Sequence, residues 1–465
     1  MTTRFGLRTA GVTAVLAAAT LASAVCAQQA PASLPAAPSA KVVTLNRRPG
    51  QFSEPSVAIN PQNPKQILTA FQVPASLAYS EDSGENWQLA AGTAPTEYKA
   101  SGDVSVTYDI LGHAFLCYIA FDKLGTAQYW AHGATRNGVF IRRSLDGGKT
   151  WDTSAIPVDA QATHADMPFE DKPYLVADNN PDSPYAGSLY VGWTEFSLTK
   201  SVILFSRSKD GGINWSAPYE ISTHEGLPRD DNGDVEGFAA AAGPNGGLYA
   251  VWSDGDSIVL AVSQDGGITF SPSRPILSVA PPYFKVNGVE RSDGFPQIAV
   301  DAHSGRLFVT WSDYRNGDVD VFCSTSSDRG DTWSNAVRVN NDALHNGADQ
   351  FFQWLAIDPA DGSADVIFYD RRNDPENRRA IVVLARSTDS GQSFANYSWE
   401  TDAFDPGDAF IGDYTGIAAA NGRVYGAWTE TVAAPRTARG RPSAAAGYST
   451  VVKVAVADFH TLPVH

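Results

Sequence analysis

Cysteine is scarce in this chain of 465 residues: there are three, and only Cys117 and Cys323 lie beyond the first thirty positions. Both sit in apolar, strand-forming stretches and read as buried thiols acting as small hydrophobes, rather than as a disulfide. There is no CxxC and no HExxH, and the eight histidines are scattered, so zinc sites of the usual spacing are excluded. Basic residues are also few, 34 Lys+Arg against 51 Asp+Glu, a formal charge of −17. Nucleic acid or another polyanion would be repelled everywhere except at a local Arg or Lys cluster. What is present, 43% hydrophobic and 11% aromatic residues with 40 glycines, suffices for a folded core and excludes disorder, collagen and coiled coil.

The first 27 residues carry the marks of a targeting segment. Arg4 and Arg8 precede an apolar, Ala-rich run from Ala10 to Ala24, and Val25-Cys26-Ala27 ends in a small residue suited to signal-peptidase cleavage. The alternative, Cys26 as a lipoprotein cysteine, is disfavoured by Val25. The run is too short for a membrane anchor. The expectation is a mature chain that is secreted or periplasmic, with residues 28–40 an Ala/Pro-rich mobile linker and 41–465 one domain.

A pattern Ser-x-Asp-x-Gly-x-x-aromatic recurs six times, with its aspartates at Asp82, Asp146, Asp210, Asp265, Asp328 and Asp389. The spacings of 64, 64, 55, 63 and 61 residues mean serial copies of one unit. Each copy reads as four short strands. A first strand ends in an Ala-apolar-Asp/Asn step, as in Val57-Ala-Ile-Asn60, and a Gly-led second strand follows, as in Gly305-Arg-Leu-Phe-Val-Thr-Trp311. A third strand enters the Ser/Asp/Gly turn and a fourth leaves it. With no helical period anywhere, the fold class is all-β, and four-stranded units in series close as a β-propeller. A seventh module, Tyr414-Thr-Gly-Ile417 with Gly422-Arg-Val-Tyr-Gly-Ala-Trp428 and Val451–Val456, lacks the turn. Seven blades are favoured over six, with Val42–Leu45 available as a borrowed closing strand.

These turns resemble the Asp-box, or bacterial neuraminidase repeat, of the sialidase superfamily. Their duties are structural: Gly supplies positive φ, Ser and Asp bond nearby backbone groups, and the aromatic packs beneath. Candidate chemistry therefore belongs on the opposite face, where first strands begin near Glu54, Asp103, Asp171, Asp234, Asp293, Asp349 and Asp413.

The resemblance implies particular site residues. Tyr414-Thr-Gly-Ile417 looks like the stretch holding the family's tyrosine nucleophile, and Asp293 occupies roughly the place of the carboxylate that assists it. Arg315 and Arg379 match two arginines that clamp a substrate carboxylate, a sound pairing since guanidinium binds carboxylate bidentately. Sialosides carry that carboxylate beside the anomeric carbon, which is why a tyrosine replaces the usual carboxylate nucleophile. Two positions depart from the pattern. The first arginine is here Ser53-Glu54, and the loop Phe71–Leu77 carries no acid. Asp370 or Asp374 is then the substitute acid, with Arg371 a further substrate contact.

The implied function is a sialidase-like glycoside hydrolase on sialosides or related glycans, without a cofactor. The alternatives are a non-catalytic propeller binding glycan or protein, and an assembly scaffold. Asp230, Asn232 and Asp234 alternate as calcium ligands do but lack an EF-hand frame, so an ordinary turn is the simpler reading.

Overall fold

The computed structural model describes residues 1–2, 34–46, 48–72, 74–90, 98–123, 134, 136–161, 168–228, 233–280, 284–289, 291–292, 294–399, 402–407, 409–433 and 448–461. Leu34–His465 forms one compact unit. The leader expected over residues 1–27 lies almost wholly outside the described residues, as do Asp230, Asn232 and Asp293.

Seven four-stranded antiparallel sheets make a seven-bladed β-propeller. Blade one is β2 (Ser53–Ile59), β3 (Ile67–Gln72), β4 (Ser76–Ser80) and β5 (Gln88–Leu89), in that spatial order. The innermost strands of blades two to six are β6 (Ala100–Tyr108), β10 (Phe169–Ala177), β14 (Val235–Ala242), β18 (Gln297–Val300) and β22 (Gln350–Ile357). Blade seven contributes β26 (Gly416–Ala420), β27 (Arg423–Ala433) and β28 (Tyr448–Asp458). Its fourth strand is borrowed: β1 (Lys41–Thr44) pairs with β28, Lys41 opposite Val456 and Thr44 opposite Lys453. The closing strand expected near Val42–Leu45 is therefore present, and each innermost strand touches the next, β26 reaching β2 to shut the ring.

Of the mobile linker expected over residues 28–40, residues 34–40 are described, and they are held. Ala37 is buried and donates its N–H to the Ser398 carbonyl at 2.7 Å, while Asp458 donates to the Pro38 carbonyl at 2.9 Å. Residues from Leu34 onward thus belong to the wheel, tied down by backbone bonds to blades six and seven.

The core is divided among seven clusters, each packed in the seam between successive blades. Each sheet is covered on both faces, so second strands are apolar runs rather than alternating ones. All eight residues of β7 (Ala114–Phe121), Cys117 among them, are buried. Cys117 and Cys323 are free thiols, and burial pushes that of Cys323 up to about 12.

The six Ser/Asp/Gly turns share one bonding scheme. Ser326 Oγ donates to Asp328 Oδ1 at 2.7 Å and accepts the Gly330 N–H at 2.9 Å, and Asp328 Oδ1 accepts the Thr332 N–H at 2.9 Å. In the four turns that end in Trp the indole closes the turn as well, Trp333 Nε1 donating to the Gly330 carbonyl at 3.0 Å, while Phe270 and Phe394 have no such donor. Bonds from the Thr332 hydroxyl and N–H hold the Asp328 carboxyl down at about 2. The turn aspartates are thus occupied within their own loops.

Candidate functional site at the wheel axis

Five innermost strands carry a β-bulge near their starts, between Ser53 and Ser56, Gly102 and Ser105, Asp171 and Tyr174, Glu236 and Ala239, and Phe351 and Trp354. In each bulge one residue takes positive φ: Glu54 52°, Asp103 47°, Lys172 48°, Gly237 80° and Phe352 54°. Only one is glycine. Bulges re-aim side chains, and left-handed backbone at other residues is strain that persists where the surroundings over-determine it.

The result is an axial cluster drawn from several blades. Asp413, just before β26, is bound by Arg291, with Nε–Oδ1 3.1 Å and Nη2–Oδ2 2.5 Å, and lies 3.5 Å from Lys172 Nζ. Lys172 Nζ stands 4.0 Å from the Phe295 ring centroid and 5.0 Å from that of Tyr414. Tyr414 packs against Trp354 at 5.2 Å between centroids. Glu54 Oε1 accepts the Asp413 N–H at 3.1 Å, and its Oε2 accepts the Gln72 amide. The same Gln72 takes the Asp103 N–H at 2.8 Å, and Asp103 Oδ2 takes the Lys172 N–H at 3.0 Å. Between these rings a space of about 20 Å³ remains, lined by Ser56, Lys172, Tyr174, Phe295, Trp354 and Tyr414.

Burial, then the charges of Asp103 and Asp413, push the Glu54 carboxyl well above the carboxylate range, so it is held protonated. Burial would raise Asp413 as well, but Arg291 and Lys172 outweigh it and keep that group ionised. Burial, followed by the charges of Asp103, Asp413 and Asp171, pushes the Tyr414 phenol strongly up. Burial also opposes the charge on Lys172, yet Asp413 and Glu236 raise its pKa and keep it an ammonium.

Of the residues singled out in the sequence, Tyr414 and the strand-start carboxylates Glu54, Asp103 and Asp413 lie in this cluster, and Asp293 falls outside the described residues. Arg315, Arg379, Arg371, Asp370 and Asp374 have partners elsewhere, Asp374 Oδ2 accepting the N–H of Arg378 at 2.8 Å and of Arg379 at 2.6 Å. Arg315 folds back onto Asp313, with Nε–Oδ1 2.8 Å, and covers the Phe322 ring at 4.5 Å. Arg379 donates to the Ala403 carbonyl from an exposed position. Arg371 is fully buried and holds the carbonyls of Asn377 at 2.9 Å and Asn287 at 2.7 Å. Asp370 is buried against Arg372, Nε–Oδ2 2.7 Å. The expected convergence of Tyr414 with Arg315 and Arg379 is therefore replaced by Lys172 and Arg291. Asp234 is buried at the start of β14, and no group of three or more His, Cys, Asp or Glu side chains among the described residues is disposed to hold a metal.

No protein-family model and no curated protein matches the chain. Similar solved structures include the phage phi92 endosialidase, 10% identical over 92% of this chain and 70% of its own, with a TM-score of 0.52. The chain shares the β-propeller fold of that structure. The Hadza microbial sialidase Hz136 is 14% identical over 86% of this chain and 74% of its own, TM-score 0.48. An ulvan lyase is 12% identical over 83% and 93%, TM-score 0.46. All three neighbours are named for action on glycans.

Proposed function

We propose that the protein is a glycoside hydrolase working at the axial mouth, with Tyr414 as nucleophile. The observation that carries this is the position of Tyr414: it lines the axial space, its ring centroid 5.0 Å from Lys172 Nζ and 5.2 Å from that of Trp354, with the charges of Asp103, Asp171 and Asp413 bearing on its phenol, so that carboxylates are at hand to activate a weak nucleophile. As the phenol oxygen bonds the anomeric carbon, its proton passes to Asp103, the carboxylate of this set least removed from solvent. Glu54, held protonated, gives its proton to the departing glycosidic oxygen. Water then releases the sugar from Tyr414 and returns the protons. Both cations of the cluster are engaged by Asp413, so the site favours neutral glycosides over sialosides, whose carboxylate would need a free guanidinium.

A second reading, a propeller that binds glycan at this mouth without turnover, is favoured by the space beside Tyr414, about 20 Å³ and sized for a water rather than a sugar ring. Incubating the protein with a panel of neutral aryl glycosides and sialosides separates the two. Release of reporter from one of them, lost in Tyr414→Phe, supports hydrolysis; glycan binding without release from any of them selects the second reading. We further propose export with cleavage after Ala27, which N-terminal sequencing of the mature protein checks.

A further inference from the structure

A cleft lies away from the axis, between blades six and seven. It encloses about 490 Å³ and is lined by Asp361, Arg386, Thr388, Tyr397, Asn421 and Phe459, among others. Asn421 follows the strand β26 that Tyr414 precedes, so the two residues are separated by about 20 Å along a nearly extended chain.

Its charges are already spent on one another. The Arg386 side chain is only 6% exposed and binds both oxygens of Asp365, at 2.9 and 2.7 Å, and Asp361 Oδ2 at 3.1 Å. The guanidinium lies 4.5 Å from the Phe459 ring centroid, and Tyr397 meets that ring edge-on at 5.4 Å. Among the polar groups left over, Asn421 and Thr388 are uncharged. Asn421 sits at φ 52° and its backbone N–H, with that of Gly422, is fixed on Asp358 at 3.0 and 2.6 Å. Its side-chain amide, like the exposed Thr388 hydroxyl, has no partner among the described residues. His460 at the lip uses Nδ1 on Asp458, leaving Nε2 for a ligand.

The arginine of this cleft is committed to Asp365 and Asp361, so a phosphate or acid sugar would find no uncommitted guanidinium here. A polyhydroxylated ring with an apolar face fits both the neutral hydrogen-bonding groups and the aromatic wall. We infer that this cleft is a binding site for neutral saccharide of one or two sugar units, separate from the axial mouth and argued from its own residues.

The test is calorimetry on the full chain with maltose, cellobiose, lactose and N,N′-diacetylchitobiose, and with 3′-sialyllactose and inorganic phosphate as charged probes. Binding of at least one neutral disaccharide is expected, weakened about tenfold by Phe459→Ala through loss of the aromatic wall. Asn421→Gly, which tolerates the left-handed backbone, removes the amide and is expected to weaken binding similarly; thermal melts confirm that both variants fold. Tyr414→Phe should leave this binding unchanged. The inference is overturned if none of the four neutral sugars binds, if a charged probe binds the cleft more tightly, or if binding survives both cleft substitutions. Binding lost in Tyr414→Phe but kept in the cleft variants would overturn it while leaving the axial reading intact.

Discussion

Glu54 and Asp413 meet across the seam between the first and last blades, the Glu54 carboxyl accepting the Asp413 N–H at 3.1 Å, and their environments push them to opposite protonation states. One is held neutral by burial beside like charges, the other ionised by Arg291 and Lys172. The contact joins the two ends of the ring at the point where the chemistry is proposed.

Substitution should expose that asymmetry. Glu54→Gln keeps the site neutral but turns one of its two accepting oxygens into an NH2 facing an N–H donor, and is expected to cost about 1–2 kcal/mol. Asp413→Asn strips the carboxylate from two cations, one of them largely buried, and should cost about 3 kcal/mol. Urea midpoints at constant m-value measure both.

Asp365 sets a pH dependence. Burial pushes its carboxyl up to about 7 despite Arg386, above the unfolded value near 3.9. The native state therefore holds this proton where the unfolded chain has lost it. Its contribution is fully present below about pH 4, declines as pH rises to about 7 and is flat above. Asp365→Asn should lack that decline, so the stability of the variant relative to wild type rises between pH 4 and 7. Urea melts across that window check the sign.

The turn glycines divide by their surroundings. Gly330 has φ 88°, and a Cβ there would lie 2.5 Å from Leu260 Cδ2 in the neighbouring blade; Gly255, at φ 61°, has nothing within 4 Å. Gly255→Ala should cost about 1 kcal/mol for the left-handed backbone alone, and Gly330→Ala about 2 kcal/mol or more. Thermal unfolding of the two variants gives the difference.

Much of the wheel was legible because its signals are local. The Ser-x-Asp-x-Gly turns bond within themselves, so six copies announced six blades, and the seventh showed in Gly422–Trp428 and in β1. The axial carboxylates Glu54, Asp103 and Asp413 were legible as strand beginnings. Lys172 and Arg291 were missed because nothing in their neighbourhood marks them: Lys172 is placed by a bulge that recurs around the ring, and Arg291 lies in the segment before β18, a strand without one. A signal was available in the X-Pro steps Glu54-Pro55 and Lys172-Pro173 at matching places in β2 and β10. Arg315 misled for the opposite reason. A guanidinium two residues beyond Asp313 binds that nearest buried carboxylate, whatever role the position has in proteins of similar sequence.

Turnover by Tyr414→Phe tests the central claim most directly. On a glycoside that the wild type hydrolyses, kcat should fall by about a thousandfold or more, with the unfolding midpoint unchanged because the phenol oxygen bonds no other described residue. A folded Tyr414→Phe protein that hydrolyses the same glycoside at the wild-type rate would contradict the account.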